Sequence, residues 1–472
     1  MSAPNGVWTV QQLLEATQGQ LVRGRCDGPA ACVSTDSRRL ERGQAFVALR
    51  GPRFDGHAFV EEAAHRGAAC LVLSHLPVPR NGSAAVPTIV VGDTTEALGD
   101  LARYRRRQLD PLVIAVTGSC GKTTTKDLIA HLLGAPGEVL KNVGSQNNHI
   151  GVPLTLLNLT PAHRTVVVEL GTNHPGEIAY LASIAEPDAA VITNVGPAHL
   201  EFFGSLVEVL EEKLSLLEAL PPDGTAVLPG DQLDVCLEAP RHTQARVRTV
   251  TFGTTDRCDL QALDLLRAAE GMSFRLRDRM GRWETALVGY HNAENALAAL
   301  ACAWAVGVPL AATRERLATF EAVPLRSQVL RYQGLTILND CYNANPLSFA
   351  RALETLRDLR AARKVAIVGD MLELGTYAPS AHQAIGRLAS QLGIDTVLAV
   401  GLYAECVAQG VREARANGVR TYRTVSELLQ ELPALLQYGD GLLIKGSRKL
   451  NLEQVTEFLQ TRYRSAHGEL AR

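Results

Sequence analysis

The segment TGSCGKTTT, Thr117 to Thr125, follows the apolar run PLVIAV and precedes the helix-like KDLIAHLLG. Strand, glycine-rich turn, Lys-Thr and helix in that order are the signature of a phosphate-binding loop, which implies that the chain handles a nucleoside triphosphate. The reason is physical. Gly118, Ser119, Cys120 and Gly121 supply backbone N–H groups that close around phosphate oxygens, and the helix N-terminus adds its partial positive charge. Lys122 neutralises the β/γ oxygens, Thr123 can ligate Mg²⁺, and Thr124 continues the first turn. The general pattern has a glycine five residues before Gly121, where this chain has Val116; Gly118 stands only three before it. That shorter TGxxGKT loop narrows the family.

At 472 residues the length corresponds to roughly three domains of about 150 residues. Residues 1 to 108 hold strand-like runs (AFVAL, CLVLS, TIVVGD) and a Pro/Gly/Asn/Ser-rich stretch, PVPRNGSAAVP, and read as a small α/β domain. From 109 to 322, LVIAVTG, TVVVELG and AAVITNVG alternate with helical segments, the βαβ pattern of a parallel sheet covered on both faces. From 323 to 472 a further series (LTILND, KVAIVGDM, DTVLAVG, GLLIKGS) implies a second doubly wound, Rossmann-like domain.

Composition excludes several classes of partner. Lys+Arg 47 against Asp+Glu 49 gives no field that seeks polyanions, so no nucleic-acid partner is expected. Arg103, Arg105, Arg106 and Arg107 read as a solvated helix end. The nine cysteines form no CxxC pair and fit reduced thiols in the cytoplasm, not disulfides or zinc. The N-terminal MSAPNGVWTVQQLLEA lacks a basic region followed by an apolar core, so no secretory signal is expected. The apolar stretch from Ala296 to Ala312 is shorter than the ~20 residues of a membrane span and reads as a buried helix.

Glu169 ends TVVVEL at the C-terminal edge of a strand, where ligand sites of open α/β sheets gather; it either coordinates Mg²⁺ or caps the next turn. The segment SLVEVLEEKLSLLEAL opens with a Ser-x-x-Glu capping box, Ser205 with Glu208. Wound at 100° per residue, it places Glu208, Glu211, Glu212, Ser215 and Glu218 on one side and Lys213 amid the leucines on the other. A lysine there either snorkels or meets an anion, a metal-linked modification or a water cavity, because an unpaired buried ammonium is too costly. His199, after a strand in TNVGPAHLEFFGS, emerges on the same edge as Glu169, where a neutral imidazole can ligate or orient a metal. SQNNHIGVP, GYHNAEN and NDCYNANP each read, taken singly, as turns.

Together these motifs resemble the Mur ligases, ATP-dependent enzymes that join an amino acid or dipeptide to a UDP-muramoyl peptide. The resemblance covers nearly the whole chain. TGSCGKTTTK resembles the family's ATP loop, NHIGVPLTLL its substrate loop, and VELGTNHPGEI, TNVGPAHLEFFGS and Lys213 its metal-site elements. It implies that Lys122, Lys213 and His199 serve catalysis, that Thr123 and Glu169 hold one Mg²⁺, and that His199 and a carbamylated Lys213 hold a second. Asn292, Asn295, Arg326 and Asp340 join Gly118 to Thr124 as the nucleotide site. Ser37 and Arg38, from STDSRRLERGQAF, lie at the uridine-diphosphate end, and Asn147, Asn148, Tyr342, Asn343 and Asn345 at the peptide substrates. NDCYNANP with GDMLELG and KGSR look most like the branch that adds D-alanyl-D-alanine to UDP-N-acetylmuramoyl-tripeptide, a cytoplasmic step of peptidoglycan synthesis, and a monomer is expected. The chain has Lys213-Leu214-Ser215 where many relatives have Lys-x-Glu, and Cys120 and Cys341 where Ser or Asn is common. Diamino-acid-adding and polyglutamylating ligases are the neighbouring alternatives; a non-catalytic nucleotide-binding paralogue is the alternative from another class.

Overall fold

The computed structural model describes residues 8–76, 86–135, 137–268, 271–414 and 418–464. The stretch PVPRNGSAAVP spans 77–87, so all but its last two residues fall outside the described residues, as do residues 1–7 of the N-terminal segment.

The strand Leu112–Thr117 is an unbroken apolar run because both its faces are covered. Val113 and Ala115 join one core with the helices Gly151–Leu157, Glu177–Ala185 and Leu206–Glu218. Ile114 and Val116 join another, packed by Lys122–Leu133 and the Ala-rich helix Tyr290–Ala305. This strand lies inside a nine-stranded sheet. The chain runs outward from it to Val139–Lys141 and Thr165–Glu169, then crosses to Ala189–Ile192 on its other side. Strand order therefore reverses beside Leu112–Thr117, which opens a crevice at the strands' C-terminal ends.

Pairing stays parallel from Val139–Lys141 through Leu260–Ala268, and the last two strands, Gly271–Leu276 and Arg282–Thr285, turn antiparallel. The parallel sheet read from the βαβ pattern is present, and this ribbon extends it; the ribbon's connections are too short for a crossover helix, so its strands pair as hairpins.

The five-stranded N-terminal sheet, built around Ala45–Val47, Cys70–Leu73 and Thr88–Val90, is parallel except for Gln20–Arg23. Its inner face shares the first core of the central sheet by way of the helix Thr94–Leu109. On that helix the structure corrects the reading of a solvated arginine end. Arg105 and Arg106 are 7% and 6% exposed. Arg105 donates to Leu159 O, and Arg106 to Glu186 O and Asp188, so their stems pack while their guanidinium groups satisfy loop carbonyls.

The six-stranded C-terminal sheet places Leu335–Asn339, Asp440–Lys445 and Arg363–Gly369 side by side and parallel, with helices on both faces. Its edge strand Gln328–Tyr332, outside the expected series, pairs antiparallel with Leu335–Asn339 through Gln333 and Gly334, both at positive φ, as a tight hairpin requires. No helix among the described residues is long and apolar enough to cross a membrane.

Candidate active site

The phosphate loop follows Thr117 directly. Gly118 and Gly121 have φ of +146° and +80°, and a Cβ on either would lie 2.0 Å from Thr193 Oγ1 or 2.1 Å from Asn295 Oδ1, so only glycine fits. Ser119 N donates to Asn194 O (2.9 Å) and Cys120 N to Asn194 Oδ1 (3.0 Å), which ties the loop to the end of the neighbouring strand. Lys122 opens the helix Lys122–Leu133 and folds back so that Nζ donates to Gly118 O at 2.7 Å. Burial pushes its pKa down, with Glu169 opposing.

Glu169 ends its strand 2% exposed. Its carboxylate accepts from Thr123 Oγ1 (2.6 Å) and from Asn147 Nδ2 (2.7 Å). Its backbone N–H and C=O are both held by the Asn142 side chain, and Asn142 O accepts from buried Lys126 Nζ at 2.6 Å. The carboxylate therefore faces the phosphate loop and does not cap a following turn. Thr123 and Glu169 form a hard-oxygen pair beside Lys122 and a free helix N-terminus, a donor set that fits a triphosphate with a hard divalent cation.

His199 stands at φ +54° with Nδ1 2.7 Å from Glu373 Oε2, a carboxylate from the C-terminal unit. The bond to His199 is the main reason the Glu373 carboxyl is held below its ordinary range. Lys213 lies on the buried side of its helix, 2% exposed. Burial first and the Lys122 charge second push its pKa down to about 7.

The same helix corrects one expectation. Glu212, placed on the polar side by its position, is buried, and its carboxylate accepts from Gly176 N (2.7 Å) and Ile178 N (2.8 Å). It caps the helix Glu177–Ala185, whose first N–H groups have no partner inside that helix. Ser205 accepts from Glu208 N as expected, but the reciprocal half of the capping box is not formed.

The asparagine clusters act as turns and as site walls at once. Asn148 accepts from Gly151 N at the start of a helix. Asn295 Nδ2 donates to Asn292 Oδ1, while Asn295 Oδ1 packs on Gly121. Asn345 caps the helix Pro346–Asp358 and also donates to Ser119 O (3.3 Å), bridging the C-terminal and central units. Asp340 accepts from Lys445 Nζ (2.6 Å) and Ser327 N (2.9 Å). The Arg326 guanidinium lies 3.9 Å over the Tyr342 ring.

A cavity of about 580 Å³ joins these groups. Ser119 to Thr124, Asn147, Asn148, Glu169, His199, Asn292, Asn295, Arg326, Asp340, Tyr342, Asn343 and Asn345 all line it. Gly118 and Lys213 are not among its lining residues. Ser37 and Arg38 lie apart in the N-terminal unit, Ser37 bonded to Glu62 and Arg38 paired with Asp36. The sequence reading missed Glu373, Lys445, Arg448 and Arg351, which also line the cavity. Glu373 and Lys445 follow or end strands in GDMLELG and KGSR, so the strand-edge argument used for Glu169 applies equally to them.

Comparison with known proteins agrees with this geometry. Models of the Mur ligase family, catalytic domain, of the Mur ligase middle domain and of the Mur ligase, glutamate ligase domain match residues 30–106, 116–303 and 325–448. The chain is 35% identical to UDP-N-acetylmuramoyl-tripeptide–D-alanyl-D-alanine ligase of Bacillus subtilis, covering 96% of this chain and 98% of that one. It is 36% identical to the enzyme of that name from Escherichia coli, with the same coverage. Among solved structures it resembles MurF from Acinetobacter baumannii, at TM-score 0.88 and 32% identity over 97% of this chain and 100% of that one. It also resembles MurF ligase from Thermotoga maritima in complex with ADP, at TM-score 0.83 and 28% identity over 92% and 98%. A glycine-constrained phosphate loop facing strand-end carboxylates and a histidine, on a chain matched along its length by these relatives, has one explanation: it belongs to the Mur ligase family.

Proposed function

We propose that this chain joins D-alanyl-D-alanine to UDP-N-acetylmuramoyl-tripeptide, consuming ATP and releasing ADP and phosphate, as a monomer in the cytoplasm during peptidoglycan precursor synthesis. The observation that carries the ligase activity is the match along almost the whole chain to the Bacillus subtilis and Escherichia coli ligases of that name. The likeness to a relative solved with ADP supports ATP as the nucleotide.

A carboxylate and an ammonium do not form an amide at useful rate. In the proposed reaction the tripeptide carboxylate attacks the γ-phosphorus, the bond to ADP breaks, and an acyl phosphate forms. The dipeptide's free amine then attacks the acyl carbon, phosphate leaves with the electron pair of the C–O bond, and the amine gives up a proton. In this reading Lys122 and the N-terminus of its helix draw the transferring phosphoryl group toward them, stabilising charge as it develops. Asn292 and Asn295 lie near the adenine, Arg326 near the phosphates and Asp340 near the ribose.

Thr123 and Glu169 would hold one Mg²⁺, and His199 with Lys213 a second, supplying positive charge at the phosphoryl oxygens. Lys213 qualifies as the second ligand once its amine takes up CO₂, forming an N–C bond and releasing a proton. A pKa near 7 leaves much of that amine neutral and nucleophilic at physiological pH. We assign the UDP end to residues 1–108 with Ser37 and Arg38, the nucleotide to 109–322, and the dipeptide to 323–472. Asn147 and Asn148 face the peptide, and Tyr342, Asn343 and Asn345 the incoming dipeptide. Closure of the C-terminal unit over the loop excludes water from the acyl phosphate.

The test is phosphate release from ATP and Mg²⁺ with the UDP-tripeptide, with and without D-Ala-D-Ala, and with single D-Ala and a free diamino acid as controls. Release that needs both tripeptide and dipeptide is the expected result. Release only with a UDP-muramoyl dipeptide and a free amino acid moves the chain to the neighbouring branch, and none with any pair overturns the catalytic reading.

A further inference from the structure

We propose that Glu373 is a positioning residue for His199: the C-terminal unit supplies the carboxylate that sets the tautomer and aim of the ring, so the second cation site is complete only when that unit docks on the central one. This rests on the ligase reading above, with His199 as a cation ligand.

A carboxylate accepts and does not donate. At 2.7 Å from Glu373 Oε2, His199 Nδ1 therefore carries the proton, and in the neutral ring the lone pair sits on Nε2. Among the described residues no partner bonds Nε2, and both side chains line the cavity that holds Lys122, Thr123 and Glu169. A carboxylate behind a histidine ligand holds the ring's rotation and raises its basicity toward a metal.

The backbone supports a built contact. His199 and Glu373 sit at φ +54° and +63°, conformations unfavourable for residues with a Cβ, which persist where surrounding structure demands them. Glu201 N donates to Glu373 O at 3.4 Å, and a Cβ on Gly375 would lie 3.3 Å from Glu201 Cα, so the two loops press together.

Glu373 is also firmly mounted. Leu372 N donates to Ser447 Oγ (3.0 Å) and Met371 N to His382 Nε2 (2.8 Å). Asp370, at the start of the same loop, accepts from Leu402 N and Tyr403 N. The carboxylate thus moves with the C-terminal sheet, and it reaches His199 only in the docked arrangement. Closure and completion of the cation site are then one event.

The test is Mn²⁺ binding to the full chain, followed by electron paramagnetic resonance with a non-hydrolysable ATP analogue and the UDP-tripeptide. Wild type is expected to bind two Mn²⁺. Glu373→Ala should weaken one of them by roughly 10- to 100-fold and leave the other unchanged. Glu373→Gln, whose amide oxygen still accepts from Nδ1–H, should retain most of that affinity. Nitrogen-15 spectra of histidine-labelled protein, with the His199 signal assigned by its loss in His199→Gln, should show the Nδ1–H tautomer in wild type and a mixture in Glu373→Ala. Equal weakening of both cations, weakening of neither, a single Mn²⁺ in wild type, or an unchanged tautomer overturns the proposal. Phosphate release by the same wild-type preparation reports separately on the ligase reading, so the two can fail independently.

Discussion

Gly121 carries two constraints at one backbone position. Its φ of +80° strains any residue with a Cβ, and the space a Cβ would fill is taken by Asn295 Oδ1. Gly121→Ala should therefore push Asn295 away and distort the phosphate loop that lines the cavity. We predict a loss of at least about tenfold in affinity for a non-hydrolysable ATP analogue, equivalent to about 1.4 kcal/mol, measured by titration calorimetry. Unchanged affinity would mean that this loop does not cradle the nucleotide. The need for glycine was legible in the motif, because φ freedom is a property of the residue itself. The residues around its neighbour Asn295 read singly as a turn and the family resemblance put Asn295 in the nucleotide site, but its seat against Gly121 was not legible, because nothing local places it 174 residues back along the chain against the loop.

The helix Leu206–Glu218 shows where reading an element from its period succeeds and where it stops. Its period correctly buried Lys213. It misplaced Glu212, because a helical wheel assumes one packed side, whereas this helix meets both the sheet core and the N-terminus of Glu177–Ala185. Removing the Glu212 carboxylate leaves the N–H groups of Gly176 and Ile178 without acceptors. Glu212→Ala should cost about 2 kcal/mol or more in urea denaturation, at about 1–3 kcal/mol for each orphaned group. Glu211→Ala on the exposed side serves as the control, and equal losses in the two variants would remove the capping role. The arginines of Thr94–Leu109 give the same lesson: their charge was legible, but the carbonyls of Leu159 and Glu186 that hold two of them belong to distant loops.

At the scale of the whole molecule, buried histidines make stability depend on pH. Burial pushes His291 down to about 4 and pushes His382 down as well. In the unfolded chain each takes a proton near about 6.5. Below that pH the unfolded state binds more protons than the folded one, so stability falls as pH falls, toward about 4 for His291. We predict a urea midpoint that drops as pH falls from about 6.5 downward. His382→Gln should be less stable at neutral pH, through loss of its bond to Met371 N, yet show a shallower decline in acid; an equal slope in both proteins would exclude His382 as a source. By itself the sequence determined that a phosphate loop stands at a strand end, that α/β units follow one another, and that Glu169 and His199 emerge on one edge. These depend on glycine freedom and on the 2- and 3.6-residue periods of strands and helices, which act over a few residues. Tertiary structure alone decided which edges face each other. His199 with Glu373, separated by 174 residues, Asn345 with Ser119 by 226, and Lys445 with Asp340 by 105 meet because sheets pack and units dock, and no local spacing encodes contacts at that range.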